Sequence, residues 1–323
     1  MSRRRQQRRR EAFWNDQPGL FDVVADNDTD AAIEPLSDEA VQVSDRLRFI
    51  SFGSGSSGNC AYIGCDAGGL LIDAGVDNNY VEAVLGANSI DPDSIQGILL
   101  THDHGDHVRY AYALLRRHRH MRLYATMKSF NGLLRRHSMS RRVKDYHTPI
   151  YKEFPFTVGP LSVTAFETSH DGSDNVGFAI DALDENFVVL TDTGKITERA
   201  DYYIRRAKHL MIETNYDLNM LRNGLYPRYL KARIESEIGH LDNAVTARYL
   251  ADVASEVSLR NIFLCHLSQD NNTPQIALDT VKAALVEAGI DLADSNAFVD
   301  DKLRLAVLPR SEASALVILS KRS

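Results

Sequence analysis

Residues Thr101-His102-Asp103-His104-Gly105-Asp106-His107 place three His and two Asp within six positions. Imidazole and carboxylate together, with no thiolate beside them, make a donor set suited to zinc, manganese or iron. The segment directly follows an apolar strand expected at 97–100, so a tight loop at that strand end can aim alternate side chains at one point. Asp106 and His107, adjacent at the start of a helix, can serve a second point. Four donors cannot saturate two cations, so further donors are expected past later strands. His170 follows a strand expected at 161–166, Asp192 follows one at 187–190, and His266 follows one at 261–265. Each alone reads as a turn residue; three in succession behind the first motif read as ligands.

The elements that position these residues begin at Leu47. Strands are expected at 49–52, 61–63, 69–73, 97–100, 123–125, 161–166, 176–181, 187–190, 210–213, 261–265, 304–308 and 316–319. Helices are expected at 108–119, 127–137, 243–255 and 274–288. The last opens with Thr273 as cap and Pro274 at the first helical position, and stops at Gly289. Strands dominate early and helices punctuate the remainder, which implies an α/β fold of two packed sheets with helices outside.

Composition bounds the rest. The 323 residues are 44% hydrophobic and 25% charged, ordinary globular usage with ample length for a core. No apolar run approaches a membrane span, and no apolar segment follows the basic start MSRRRQQRRR, so neither a membrane nor a secretory role is expected. Cys60, Cys65 and Cys265 are too few for a disulfide framework, which points to a reducing cytoplasm. Six of the first ten residues are Arg, and 11–45 carry ten acidic residues and no Lys or Arg. Residues 1–46 are therefore expected to form a disordered charged tail, its Arg cluster either a nucleic-acid tether or a solvated end. Residues 47–323 are expected to form the catalytic domain.

A net charge of −7 excludes a uniformly basic protein but not a local basic groove. Residues 107–144 hold eleven Lys or Arg and no Asp or Glu, directly after the metal motif. Arg222, Arg228, Lys231 and Arg233 form a second basic set ahead of His240. Runs without compensating acid favour phosphate contact, which positions a backbone without reading its bases. Three other features add to this. The small-residue turn after the first strand, Ser51-Phe52-Gly53-Ser54-Gly55-Ser56-Ser57-Gly58-Asn59-Cys60, lets backbone N–H groups approach an anion, with Ser56 and Asn59 as candidate contacts. Glu213 ends one strand and can orient His240, a candidate general acid. Asn271 and Asn272 follow His266 and are further candidate substrate contacts. Asp103 and Asp171, beside ligands, are expected to orient imidazoles. His118, His120, His137, His147 and His209 read as ordinary polar or packed side chains.

The H-x-H-x-D-H of His102, His104, Asp106 and His107, followed by His170, Asp192 and His266, resembles the metallo-β-lactamase superfamily. The resemblance implies an αβ/βα sandwich of two mixed sheets flanked by helices. It implies two divalent ions, Mn²⁺ or Zn²⁺. His102, His104 and His170 would hold one, Asp106, His107 and His266 the other, and Asp192 would lie between them. Oxygen-reducing members carry Glu at the position of His104, so diiron oxygen chemistry is disfavoured. Glu213 with His240 is similar to the phosphodiesterase branch, in which an extra His protonates the leaving oxygen. The sets G-x-Y-P-x-x-L-K-x-R-I at 224–234, G-H-L-x-N at 239–243 and H-L-S-x-x-N-N-x-P at 266–274 resemble the YycJ/WalJ family. That resemblance implies a 5′→3′ exonuclease on DNA, duplex included, with a metal-activated water. Asp106, His240 and Glu213 would be its candidate catalytic groups, and DNA repair its setting. Asp242 departs from the Ser expected after Gly-His-Leu.

Two other readings stand beside this one. The same chemistry could serve RNA processing or a small cyclic phosphodiester. Alternatively the chain is a metal-stabilised nucleic-acid-binding module without catalysis. A β-lactam or thioester hydrolase would leave the basic runs and His240 unexplained.

Overall fold

The computed structural model describes residues 46–293 and 302–319, so the expected tail at 1–46 lies almost wholly outside the described residues. Two seven-stranded sheets face each other. The first contains β1 (Arg48–Gly53), β2 (Cys60–Cys65), β3 (Gly68–Ile72), β4 (Ile95–Leu99), β5 (Arg122–Ala125) and β6 (His147–Pro149). The second contains β7 (Phe156–Val158), β8 (Leu161–Glu167), β9 (Val176–Ala182), β10 (Glu185–Leu190), β11 (His209–Glu213), β12 (Asn261–Cys265) and β13 (Arg304–Val307). The chain then returns to the first sheet as β14 (Val317–Ile318), antiparallel to β1. Pairing is parallel from β3 to β6 and from β10 to β13, so four consecutive strands in each sheet end on the same edge.

Alternation along the strands explains the layering. One face of each sheet supplies the shared core, in which Phe49 lies 4.8 Å from Phe187 and 4.9 Å from Phe263 by ring centroid. Burying such a ring contributes roughly 1.5–3 kcal/mol. Cys265 sits in this core, as its place next to His266 in a strand predicts. The outer face of the first sheet is covered by helices Asn78–Ala87, Ala111–Arg117 and Met127–Arg136. That of the second is covered by Glu198–Ile204, Asn243–Glu256 and Pro274–Glu287. Among the described residues no helix is long and apolar enough to cross a membrane.

The structure differs from expectation in detail. The helix expected over 108–119 is two pieces, Gly105–Val108 and Ala111–Arg117. The break follows from the loop after β3, where Ala74 O accepts from Tyr110 N–H and Asn78 Nδ2 donates to Tyr110 O. Helices Leu218–Asn223 and Arg228–Ile234 occupy a connection read only as basic. Asp242 caps the helix Asn243–Glu256, accepting from Ala244 and Val245 N–H. Ser and Asp are both good caps, so this departure from the family pattern keeps the helix start intact.

Candidate metal centre

His102, His104, Asp106, His107, His170, Asp192 and His266 come together at the edge where the parallel strands end. His102 to His107 follow β4, Asp192 follows β10 and His266 follows β12. Asp73, Asp192 and His266 have left-handed backbone, with φ of 60°, 50° and 53°. Non-glycine residues hold that conformation at a cost of order 1–3 kcal/mol and cluster at functional sites. Here the turn in the backbone re-aims the side chain at the strand end, Asp192 and His266 towards the donor sets and Asp73 behind His107.

The donors fall into two adjoining sets. Ligand atoms of His102, His104 and His170 lie within 4.8 Å of one another, and so do those of Asp106, His107 and His266. His170 Nε2 is 3.3 Å from His104 Nδ1. His107 Nε2 and His266 Nε2 are 3.5 and 3.7 Å from Asp106 Oδ2. Asp192 stands between the sets, with Oδ2 at 3.3 Å from His107 Nε2 and Oδ1 at 3.7 Å from His170 Nε2.

Hydrogen bonds behind the rings select one nitrogen on each. His107 Nδ1 donates to Asp73 Oδ2 at 2.7 Å, His170 Nδ1 to Gly239 O at 2.9 Å, and His266 Nδ1 to Glu213 Oε1 at 2.9 Å. Thr101 Oγ1 lies 3.0 Å from His102 Nδ1. That leaves Nε2 of each aimed at the cleft. Nε2 of His102 and of His266 is buried with no hydrogen-bond partner among the described residues. Buried nitrogens left without a partner, facing carboxylates and backed by donor-fixing contacts, are what a divalent cation requires of its imidazoles. The residues present therefore fit such a metal.

Asp73 is the residue that sequence reasoning missed. It follows β3, is buried, and also accepts from Thr101 N–H and Oγ1–H at 2.9 and 2.8 Å. Contrary to the expectation from its position, the Asp103 carboxylate orients no imidazole. It accepts from Ser173 N–H and Oγ–H and lies 3.4 Å from Arg136 Nε. Asp171 Oδ1 faces two of these imidazoles, 3.5 Å from His104 Nε2 and 3.4 Å from His170 Nε2, while Oδ2 accepts from Arg233. Asp73→Ala should weaken metal binding or activity by about 10- to 100-fold, the usual cost of losing a carboxylate behind a ligating His. Competition with a chromophoric chelator measures this directly.

His240 stands beside the centre. Its ring is 4.9 Å from that of His170 and 5.3 Å from that of His266, and its Nδ1 donates to Glu213 Oε1 at 2.7 Å. The same Glu213 oxygen thus serves His240 and His266. Its partner Oε2 accepts from Thr193 and Leu241 N–H at 2.8 and 3.2 Å. Burial pushes the Glu213 carboxyl upward, but the nearby imidazoles, His240 foremost, hold it below the usual carboxylate range.

The expected substrate contacts are distributed unevenly. Ser56 and Arg228 are exposed, and Arg233 pairs with Asp171. Lys231 Nζ donates to Arg222 O and Gly224 O, holding the two short helices together. Asn272 Nδ2 donates to Thr214 O, Asn215 O and Asn243 Oδ1, and Asn271 is buried. Asn59 is buried with its amide toward Asp106 and His107. The basic run at 107–144 divides. Arg136 and His137 reach Asp103 at the metal loop, while Arg117 pairs with Glu82 farther out.

A family model described as a β-lactamase superfamily domain matches residues 69–266. An exodeoxyribonuclease YycJ of Bacillus anthracis is 32% identical over 255 residues, which is 77% of this chain and 93% of that protein. An exodeoxyribonuclease WalJ of Streptococcus pneumoniae is 30% identical over 244 residues, 76% and 90% of the two chains. Among solved structures, the metallo-β-lactamase fold protein YhfI from Bacillus subtilis superposes with a TM-score of 0.58 at 13% identity, covering 84% of this chain and 99% of that one. Zn²⁺-bound PqqB from Methylobacterium extorquens gives 0.59 at 19% identity, covering 83% and 99%. These two share the fold.

Proposed function

We propose, since this chain belongs to the β-lactamase superfamily, that it is a metal-dependent phosphodiesterase removing nucleotides from the 5′ ends of DNA, duplex included. The observation that carries this reading is His240, backed by a buried carboxylate and set beside seven metal donors. A phosphodiester needs such a proton donor because its departing sugar oxygen is strongly basic. A preference for polymer over small diester is supported by exposed Arg228 and by Arg136 and Arg233, which reach Asp103 and Asp171 beside the metal donors.

His102, His104 and His170 would hold one divalent ion, and Asp106, His107 and His266 a second, with Asp192 shared. Nitrogen and oxygen donors without thiolate suit Zn²⁺ or Mn²⁺. Such ions, when bound, supply Lewis acidity that makes a nucleophile of water and neutralises the non-bridging phosphate oxygens. Glu213 fixes the His240 ring with Nδ1–H toward itself, which leaves Nε2 for the substrate. As the water oxygen bonds to phosphorus, releasing its proton to solvent, and the bond between phosphorus and O3′ breaks, a proton passes from His240 Nε2 to O3′. Glu213 is a positioning residue here, because it acts through His240 and His266. The products are a 5′-phosphorylated nucleotide and a strand shorter by one. The same reading assigns catalysis to residues 47–323 and the setting to the cytoplasm, where DNA repair needs such an exonuclease. Three buried free cysteines suit that compartment.

The test is incubation with end-labelled duplex DNA, single-stranded DNA, RNA and a cyclic dinucleotide, each with Mn²⁺ or Zn²⁺. Progressive shortening of duplex DNA from the 5′ end is expected. Preferential digestion of RNA or of the cyclic diester would replace the substrate. Tight DNA binding without any cleavage would leave a binding module.

A further inference from the structure

We propose that the turn Gly55–Gly58, flanked by Arg109 and Arg310, is the pocket for the terminal 5′-phosphate of the strand being degraded. The inference rests on the 5′-exonuclease reading and deepens it: it names the group that sets polarity and step size.

Both ends of the turn are fixed to metal donors. On one side, Ser54 Oγ accepts from His266 N–H at 2.9 Å. On the other, Asn59 N–H donates to Asp106 O at 2.8 Å. Asn59 also closes the turn internally, since its Oδ1 accepts from Gly55 N–H at 2.8 Å and its Nδ2 donates to Gly55 O at 3.0 Å. Gly58 N–H completes it by donating to Gly55 O at 2.9 Å. At Gly58 a Cβ would meet Gly75 O at 2.5 Å, so the backbone lies against the loop after β3.

The apex is left with donors to offer. Ser56 and Ser57 are exposed, and neither their hydroxyls nor their backbone N–H groups donate to any described residue. Arg109 leans on the turn from one flank, donating to Ser57 O at 3.1 Å. Arg310 lies on the other, its Cγ against Gly55 and its Nη1 donating to Ser268 O at 3.1 Å. Neither guanidinium pairs with a carboxylate among the described residues, unlike Arg117, Arg136, Arg222 and Arg233. Two cations unpaired with any carboxylate among the described residues and a cluster of N–H and O–H donors at the apex, with the Asp106 carboxylate held on the inner side by Asn59 Nδ2, describe an anion site.

Position and charge specify which anion. Ser56 and Ser57 are two residues from Ser54 and Asn59, so at roughly 3.3–3.6 Å per residue the apex lies within about one nucleotide's reach of the donors. A phosphate monoester carries about −1.5 to −2 charges at neutral pH and three acceptor oxygens, against one charge on an internal diester. A terminal phosphate held at the turn places the next phosphate along the strand at the metal donors. Cleavage there releases one nucleotide and creates a new 5′-phosphate for the next round.

The experiment uses the full chain with Mn²⁺ and 3′-labelled duplex DNA bearing either a 5′-phosphate or a 5′-hydroxyl. The native protein is expected to favour the phosphorylated end by about 10- to 100-fold in kcat/KM, the scale of charge-assisted hydrogen bonds. In Arg109→Gln with Arg310→Gln the ratio should fall toward one. Unchanged thermal melting of the double variant shows that the fold is intact. A ratio near one in the native protein, or a native ratio in the double variant, overturns the pocket while leaving exonuclease activity standing. Should no DNA be digested at all, the exonuclease reading fails, and binding then decides the pocket separately. The 5′-phosphorylated thymidine dinucleotide should bind at least about tenfold more tightly than its unphosphorylated counterpart, and equal affinities overturn the proposal.

Discussion

Asp192→Asn is expected to lower DNA hydrolysis by at least ~10⁴-fold, the scale seen when one member of a catalytic unit is removed. The residue is buried and lies 3.3 Å from His107, 3.7 Å from His170 and 3.4 Å from His266 Nδ1. Thr191 Oγ1 donates to Oδ2 at 2.8 Å, which fixes the carboxylate plane. Burial alone pushes its carboxyl upward, but His266 and His107 outweigh that and keep it ionised. An amide of the same shape places an NH₂ donor where an acceptor is required and removes the one charge shared by both donor sets. Metal content per chain, measured by atomic emission, should fall together with the rate. Circular dichroism should stay native, because Asn also tolerates left-handed backbone. Native turnover with full metal content in this variant would remove Asp192 from the centre.

His240→Ala should lower kcat on DNA by ~10²–10⁴-fold, the range for loss of a positioned general acid. DNA binding should change far less, since the ring offers a single contact. The decisive comparison is a substrate whose leaving group needs no proton, such as a nitrophenyl ester of thymidine 5′-phosphate. If His240 delivers a proton to O3′, the defect should shrink strongly on that ester. A defect of equal size on both substrates would mean that His240 only supports the neighbouring ligands through Glu213.

How much of this was legible depends on whether the signal was local. His102, His104, Asp106 and His107 are dense in sequence, and His170, Asp192 and His266 each follow an apolar run that reads as a strand. Two-sheet packing was legible from the same alternation. Asp73 gives no local signal, because its role exists only once β3 and β4 pair and bring it to Thr101 and His107. The strands His147–Pro149 and Phe156–Val158 have three residues each, too few for alternation to show. The helix Asn78–Ala87 was readable in principle, since Asp77 caps it and Val81 and Leu85 are buried on one face. Leu218–Asn223 and Arg228–Ile234 were not, because six- and seven-residue helices owe their stability to packing rather than propensity. Lys231 and Asn272 show the limit from the other side: their residue types suggested substrate, and the fold uses them to tie short elements together.

The return of the chain to the first sheet bears on how the protein is made. All seven donors have been synthesised by residue 266. Yet Ser54 N–H is met by Pro309 O and Arg310 O, Ser51 pairs with Ser314, and β14 covers the open edge of β1 only at 317–318. On the ribosome, a chain short of residue 309 therefore leaves the donor-bearing turn without its closing wall. The last wall around those donors is thus in place only when nearly the whole chain has been made.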